Sequence, residues 1–319
     1  MSNWMLIVLG LVLVVAGGEL LVRGAVATAR RLGVSPLLIG LTLVGFGTST
    51  PELITSVEAA LAGSPGIAVG NVVGSNTANI LLILGVAAVI FPLATSRAAL
   101  IRDGGAMLVA ALACLAVVLT GHLDRIAGAV LLVLLAVYIG YTYRREKASH
   151  DASATMHEAE ADFVATPAGL SAGAAAVLAL AGIGLTILGA TYLVDGAIDL
   201  ARAAGVSETV VGLTIVSVGT SLPELVTSVM AALRRQGDVA FGNVLGSNIY
   251  NVLGILGVTA LVKPIPVPPE IASLDIWVMM AATLAMLVFA VTGWRLSRVE
   301  GGLFLAAYAG YVAYLASIV

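Results

Sequence analysis

The stretch from residue 33 to residue 86 is written a second time, without a gap, from residue 205 to residue 258. GVSPLLIGLTLVGFGTSTPELITSVEAAL answers to GVSETVVGLTIVSVGTSLPELVTSVMAAL, and AVGNVVGSNTANILLILGV to AFGNVLGSNIYNVLGILGV. About 32 of 54 positions are identical at the constant offset of 172, which also pairs Asp103 with Asp275 and Gly121 with Gly293. A chain built this way folds twice into one unit. How the two units sit depends on how often each crosses its surroundings.

Those surroundings are lipid. The chain has 319 residues, 60% hydrophobic and 10% charged, with a mean hydropathy of +1.08, whereas soluble domains carry about 25% charged residues. Apolar stretches of bilayer-crossing length divide it into ten spans: 3–30, 36–61, 67–91, 100–119, 124–143, 170–200, 208–233, 239–262, 274–292 and 300–318. The start, MSNWMLIVLGLVLVVAGGELLVRGA, lacks a basic leader region and reads as the first span. The expected organisation is an all-α integral membrane protein with a first five-helix repeat (1–147), a linker loop (148–167) and a second five-helix repeat (168–319). Five is odd, so the copies enter the membrane with opposite orientations, the inverted-repeat plan of secondary transporters.

Positive charge sets the sidedness, because Lys and Arg gather in cytoplasmic loops. With the N-terminus outside, Arg30, Arg31, Arg97, Arg102, Arg144, Arg145, Lys147, Arg234, Arg235, Arg295 and Arg298 are cytoplasmic, and only Arg125, Arg202 and Lys263 fall outside. Both termini are therefore expected outside and the linker inside. The net charge of −3 points to no nucleic acid, and the single Cys114 allows no disulfide framework or thiol cluster. No nucleophile with a base, phosphate loop or intramembrane histidine suggests an enzyme.

The repeated polar residues are the ones a membrane helix can least readily hold. Thr48, Ser49 and Glu52 share a helix face, and Pro51, lacking an N–H, releases the carbonyl of Gly47. Gly45 and Gly47 make an irregular turn sterically easy. Thr220, Ser221 and Glu224, with Ser217, Gly219 and Pro223, repeat the set. Ser75 and Asn79 are four apart in the third span, as are Ser247 and Asn251 in the eighth. Together they form an all-oxygen cage of carboxylate, hydroxyl, amide and carbonyl groups suited to hard cations such as Ca²⁺ and Na⁺. Intramembrane carboxylates mark ion paths by default. Asn71, Asn76, Asn243 and Asn248 read instead as structural residues shaping the starts of the third and eighth helices.

Paired in this way, GTSTPE with GNVVGSN and GTSLPE with GNVLGSN resemble the two α-repeats of the sodium/calcium exchanger family, and the ten-span layout extends the resemblance over the whole chain. The resemblance implies an antiporter exchanging Na⁺ for Ca²⁺, electrogenic with about three Na⁺ per Ca²⁺. It makes Glu52 and Glu224 the central acidic ligands. Thr48, Ser49, Thr220, Ser221, Ser75 and Ser247 become oxygen ligands of flanking Na⁺ sites, Asn79 and Asn251 complete the centre, and Gly45 and Ser217 supply backbone carbonyls. Asn251 stands where many members carry an aspartate; its amide resembles a protonated aspartate in charge. No prosthetic group is implied. The substrates are Ca²⁺ and Na⁺, the partner is the lipid bilayer, and a monomer is expected to function.

The rival readings are a H⁺/Ca²⁺ exchanger, a K⁺-dependent Na⁺/Ca²⁺ exchanger and a cation channel. Hydroxyl-rich GTS segments favour Na⁺ ligation over proton carriage, and near-identical inverted halves favour alternating access over a pore. Elsewhere, Glu19 and Arg23 read as a structural i, i+4 pair. Asp195 and Asp199 read as snorkelling residues, and Asp103 and Asp275 as complements to helix dipoles. His150, Asp151, His157, Glu158, Glu160 and Asp162 read as a solvated loop.

Overall fold

The computed structural model describes residues 2–33, 45–95, 97, 100–149 and 171–317. The expected linker beyond residue 149, with its histidines and acids, lies outside these residues, as do residues 36–44 of the expected second span. Among the described residues twelve helices carry the fold: α1 (Asn3–Arg31), α2 (Gly45–Thr48), α3 (Thr50–Leu61), α4 (Pro65–Ile90), α5 (Leu100–Leu119), α6 (Arg125–Ser149), α7 (Ala172–Ala204), α8 (Glu208–Thr220), α9 (Leu222–Leu233), α10 (Gly237–Val262), α11 (Ile271–Val291) and α12 (Arg298–Ser317). Eight are long and apolar enough to cross a membrane, or nine if α8 and α9, bent by 49° where they meet, are counted as one span. The matching α2 and α3 are the described part of the expected second span. The expected boundaries hold to within a few residues, except that α6 runs on to Ser149 through the first polar residues after the fifth span.

Opposite insertion of the two copies is visible where their first helices meet. A Cβ on Gly10 would lie 2.6 Å from the Leu193 backbone, one on Gly17 would lie 2.6 Å from that of Thr186, and one on Gly24 would lie 2.5 Å from that of Ala179. As the number rises along α1 it falls along α7, so the helices are antiparallel. Glycines every seventh residue bring the backbones into contact, the way apolar helices associate where burial in lipid gives little driving force.

The strand ends repeat the symmetry. β1 (Leu93–Ala94) pairs antiparallel with β4 (Arg295–Leu296), and β2 (His122–Leu123) pairs antiparallel with β3 (Ile265–Pro266). Leu93 opposite Leu296 corresponds to Ile265 opposite Leu123: Ile265 is the repeat image of Leu93, and Leu296 lies one residue past the image of Leu123. Each pair therefore ties one copy to the other.

Two helices form the centre. The most apolar windows of α4 and α10 are 78% and 83% buried, against 22% to 44% for the other six long helices. Both contain a π-helical turn, Asn79–Leu84 and Tyr250–Leu256, of the kind that gathers at functional sites. Asp103 and Asp275 also sit in π-turns, where Tyr138 and Tyr311 donate hydrogen bonds to them at 3.1 and 2.7 Å. Their partners are thus side chains of α6 and α12 rather than a helix dipole alone. Glu19 and Arg23 form the expected pair at 2.6 Å, and Asp199 faces Arg202 at 3.9 Å.

Because the α1–α7 seam leaves no room for a side chain, Gly17→Leu should destabilise the protein by at least ~2 kcal/mol. Gly184→Leu, on α7 with nothing within 4 Å, should be neutral. Thermal unfolding of both variants in detergent checks this; equal melting temperatures would refute the close seam.

Candidate ion-binding site

The two expected spans break at the same residue of their repeated motif. Ser49 ends α2 with φ −88° and ψ 7°, Ser221 ends α8 with φ −82° and ψ 9°, and the prolines fall in the first turn of the helices that follow. Proline is tolerated there because a first-turn N–H has no helical partner. Each break turns a serine hydroxyl across the molecule. Ser221 Oγ donates to Glu52 Oε1 at 2.9 Å, and Ser49 Oγ donates to Glu224 Oε1 at 3.1 Å. Each copy's serine therefore holds the other copy's glutamate.

Both carboxylates are removed from water, with Glu52 0% and Glu224 1% exposed. The ion pairs Arg23–Glu19, Arg102–Asp103 and Arg202–Asp199 leave them out. Two buried carboxylates without a counter-charge among the described residues are a strongly unfavourable arrangement unless something positive joins them.

The remaining polar atoms point the same way. Glu52 Oε2, Glu224 Oε2, Asn79 Oδ1, Asn251 Oδ1 and Thr48 Oγ1 are all buried and without a hydrogen-bond partner. All five are oxygens and four can only accept, which is a donor set for a hard cation. Among the described residues no three His, Cys, Asp or Glu side chains come together, so the charge available is that of two carboxylates.

The other predicted residues surround these. Ser247 Oγ donates to Glu224 Oε1 at 3.4 Å; its counterpart Ser75 Oγ donates instead to the Ser217 carbonyl at 3.4 Å. Thr220 Oγ1 donates to Asn71 Oδ1 at 3.1 Å and to the Ser217 carbonyl at 3.3 Å, and Ser217 Oγ donates back into α8 at the Leu213 carbonyl, 2.7 Å. Gly45 is the first residue of α2, one turn before Ser49. Asn71 and Asn243, expected to be structural, tie their helices to the segments after the breaks: their amides donate to the Glu52 and Glu224 carbonyls and, at 2.9 Å, to Ser56 and Ser228. Sequence reasoning passed over those two serines, though their identity at the repeat offset was available. It also did not foresee that Asn76 and Asn248 contact Asn251 and Asn79.

The two halves differ in packing. A Cβ on Gly74 of α4 would meet the Leu213 carbonyl and Ser217 Oγ, both at 2.7 Å, whereas Gly246 at the matching place in α10 has nothing within 4 Å. Asn71 is fully buried and Asn243 only partly.

Two inverted helical halves, crossing at a buried acidic oxygen cage with unequal packing on its two sides, define a secondary transporter for cations. Comparison with known proteins gives the particular kind. The family described as Sodium/calcium exchanger protein matches residues 2–144 and again 174–316, and the chain belongs to that family. It is 35% identical to the sodium/calcium exchanger MaX1 of Methanosarcina acetivorans, covering 98% of each chain. It is also 35% identical to the inner membrane protein YrbG of Escherichia coli, covering 98% of this chain and 95% of that one. Among solved structures it resembles the sodium-calcium exchanger NCX_Mj soaked with 10 mM Na⁺ and zero Ca²⁺, at TM-score 0.63 and 32% identity over 98% of both chains. The same exchanger soaked with 10 mM Na⁺ and 10 mM Sr²⁺ gives TM-score 0.65 at 33% identity, over 98% of this chain and 97% of that one. The protein is thus a membrane antiporter of the cation/Ca²⁺ exchanger type, and not an enzyme.

If the acceptor cage binds the divalent ion, Glu52→Gln and Glu224→Gln should each lower Ca²⁺ affinity at least about a hundredfold, or roughly 3 kcal/mol. Calcium binding and radiolabelled Ca²⁺ flux on folded, monodisperse variants check this. Near-normal flux in either one removes the site.

Proposed function

We propose that this protein exchanges Na⁺ for Ca²⁺ across the cell membrane by alternating access, with Glu52 and Glu224 as the shared acidic ligands. The observation that carries the reading is the set of five buried oxygens without hydrogen-bond partners, two of them from carboxylates that have no counter-charge among the described residues. Asn79 and Asn251 add amide oxygens at the centre. Thr48, Ser49, Thr220, Ser221, Ser75 and Ser247, with the carbonyls of Gly45 and Ser217, serve the flanking Na⁺ ions.

Energetics favour about three Na⁺ per Ca²⁺. A tenfold Na⁺ gradient supplies about 1.4 kcal/mol per ion. One net charge at 100 mV supplies about 2.3 kcal/mol. Two Na⁺ sustain only about a hundredfold Ca²⁺ gradient. A third adds both a gradient contribution and a net charge, raising the limit to about 10⁴–10⁵. The positive-inside distribution supports termini outside and the segment 148–167 inside, joining repeat 1–147 to repeat 168–319.

Purified protein in liposomes loaded with Na⁺, K⁺ or protons, one at a time, tests the exchange. Radiolabelled Ca²⁺ uptake should require internal Na⁺ and should quicken when the interior is made positive. Uptake driven equally by K⁺ or protons, or with no counter-ion, overturns the reading.

Alternating access between inverted copies also assigns the packing difference between α4 and α10. One state closes α4 on α8 at Gly74; in the other, the image contact closes at Gly246. Gly74→Ala and Gly246→Ala should therefore each slow turnover, by at least about tenfold. Gly105→Ala, in open space, should leave it unchanged. Full turnover in Gly246→Ala would show that this glycine never comes into contact.

A further inference from the structure

An asparagine amide can turn either its oxygen or its N–H₂ edge to a cation, and only the oxygen edge is useful. Around the local twofold axis, where α4 crosses α10, four amides settle this choice. Asn248 Nδ2 donates to the backbone carbonyl of Asn76 at 3.3 Å, and Asn79 Nδ2 donates to Asn248 Oδ1 at 2.9 Å. The image contacts run the other way: Asn76 Nδ2 faces the backbone carbonyl of Asn248 at 3.5 Å and Met279 Sδ at 3.8 Å, and Asn251 Nδ2 donates to Asn76 Oδ1 at 3.1 Å. All four side chains are buried.

We propose that Asn76 and Asn248 are positioning residues that lock the amides of Asn251 and Asn79 with their oxygens free for a cation. The inference rests on the reading of Asn79 and Asn251 as cation ligands. A backbone carbonyl can only accept, so the asparagine beside it must present N–H₂ there and its oxygen on the opposite edge. That oxygen in turn can only accept, so the next amide must donate to it. The polarity fixed by one backbone carbonyl passes through a first side chain and orients a second. Flipping Asn79 alone would set two oxygens against each other. Flipping Asn248 with it would move the same clash to the Asn76 carbonyl. The result is the pair of buried oxygens, Asn79 Oδ1 and Asn251 Oδ1, that have no hydrogen-bond partner. Each positioning residue belongs to the copy opposite the ligand it orients, so neither half completes its own share of the centre.

A purely structural role at the helix crossing would affect folding or turnover generally. Orientation makes a narrower demand, because it matters only while the ligand has two different edges. Asn248→Ala should raise the Ca²⁺ KM of Na⁺-dependent uptake by about tenfold or more, with the maximal rate at saturating Ca²⁺ little changed. In an Asn79→Asp background the ligand offers an oxygen whichever way it turns. There the same substitution should raise KM less than about threefold. Asn248→Ser is compared in both backgrounds as well, in case Ala reduces the yield of monodisperse protein. Equal changes in KM with and without Asn79→Asp, an unchanged KM in Asn248→Ala, or a loss confined to the maximal rate overturns the proposal. Failure of the cage itself is read separately, as transport surviving Glu52→Gln or Glu224→Gln.

Discussion

Two carboxylates with no counter-charge among the described residues, buried where two inverted copies of one helical unit cross, are the constraint the rest of this structure answers to. Left alone they would be prohibitively unfavourable in a low-dielectric interior. Hydrogen bonds from Ser49 and Ser221 occupy one oxygen of each carboxylate and leave the second free. The fold meets the constraint by geometry rather than by neutralisation. A lysine or arginine here would make the apo protein more stable and would occupy the place of the substrate. Stability is instead found away from the centre, in the glycine seam between α1 and α7 and in strand pairs that bind each copy to the other.

The repeat explains both how much was legible in advance and where legibility stopped. Ten apolar stretches, an odd number per copy and acids at the repeat offset were enough for the helices, their inversion and the candidate ligands. The offset pairs each residue with its symmetry image, however, and apart from Asn76 and Asn248, which meet at the axis itself, the site contacts described above do not join images. Ser49 is the image of Ser221, yet its hydrogen bond is to Glu224; Asn79 is the image of Asn251, yet it bonds to Asn248. Away from the axis itself, contacts between the copies join a residue to a neighbour of its image, and no pattern along one strand of sequence marks which neighbour. Edge polarity was equally hidden. Nothing in GSNTAN distinguishes an asparagine that ligates from one that orients until the backbone carbonyls are in place.

Exchange requires two states of similar energy, and near-identical halves supply that almost automatically. If the copies were perfect images, swapping their conformations would return the same set of contacts, and neither side of the membrane would be preferred. The places where the copies differ next to the site are therefore where a preference can arise. Phe46 stacks on Tyr250 with ring centroids 4.5 Å apart, and a Cβ on Gly254 would lie 3.1 Å from the Phe46 ring. At the image positions the residues are Val218, Ala78 and Leu82. Bulk is traded between the copies, Phe46 against Gly254 where the image has Val218 against Leu82, so volume is roughly kept while shape is not. Packed interiors respond to shape as well as volume. The ligand chemistry is thus kept symmetric and the surrounding packing is not. If the candidate oxygens serve the cation in both states, the packing around them is where the energies of the two states can differ.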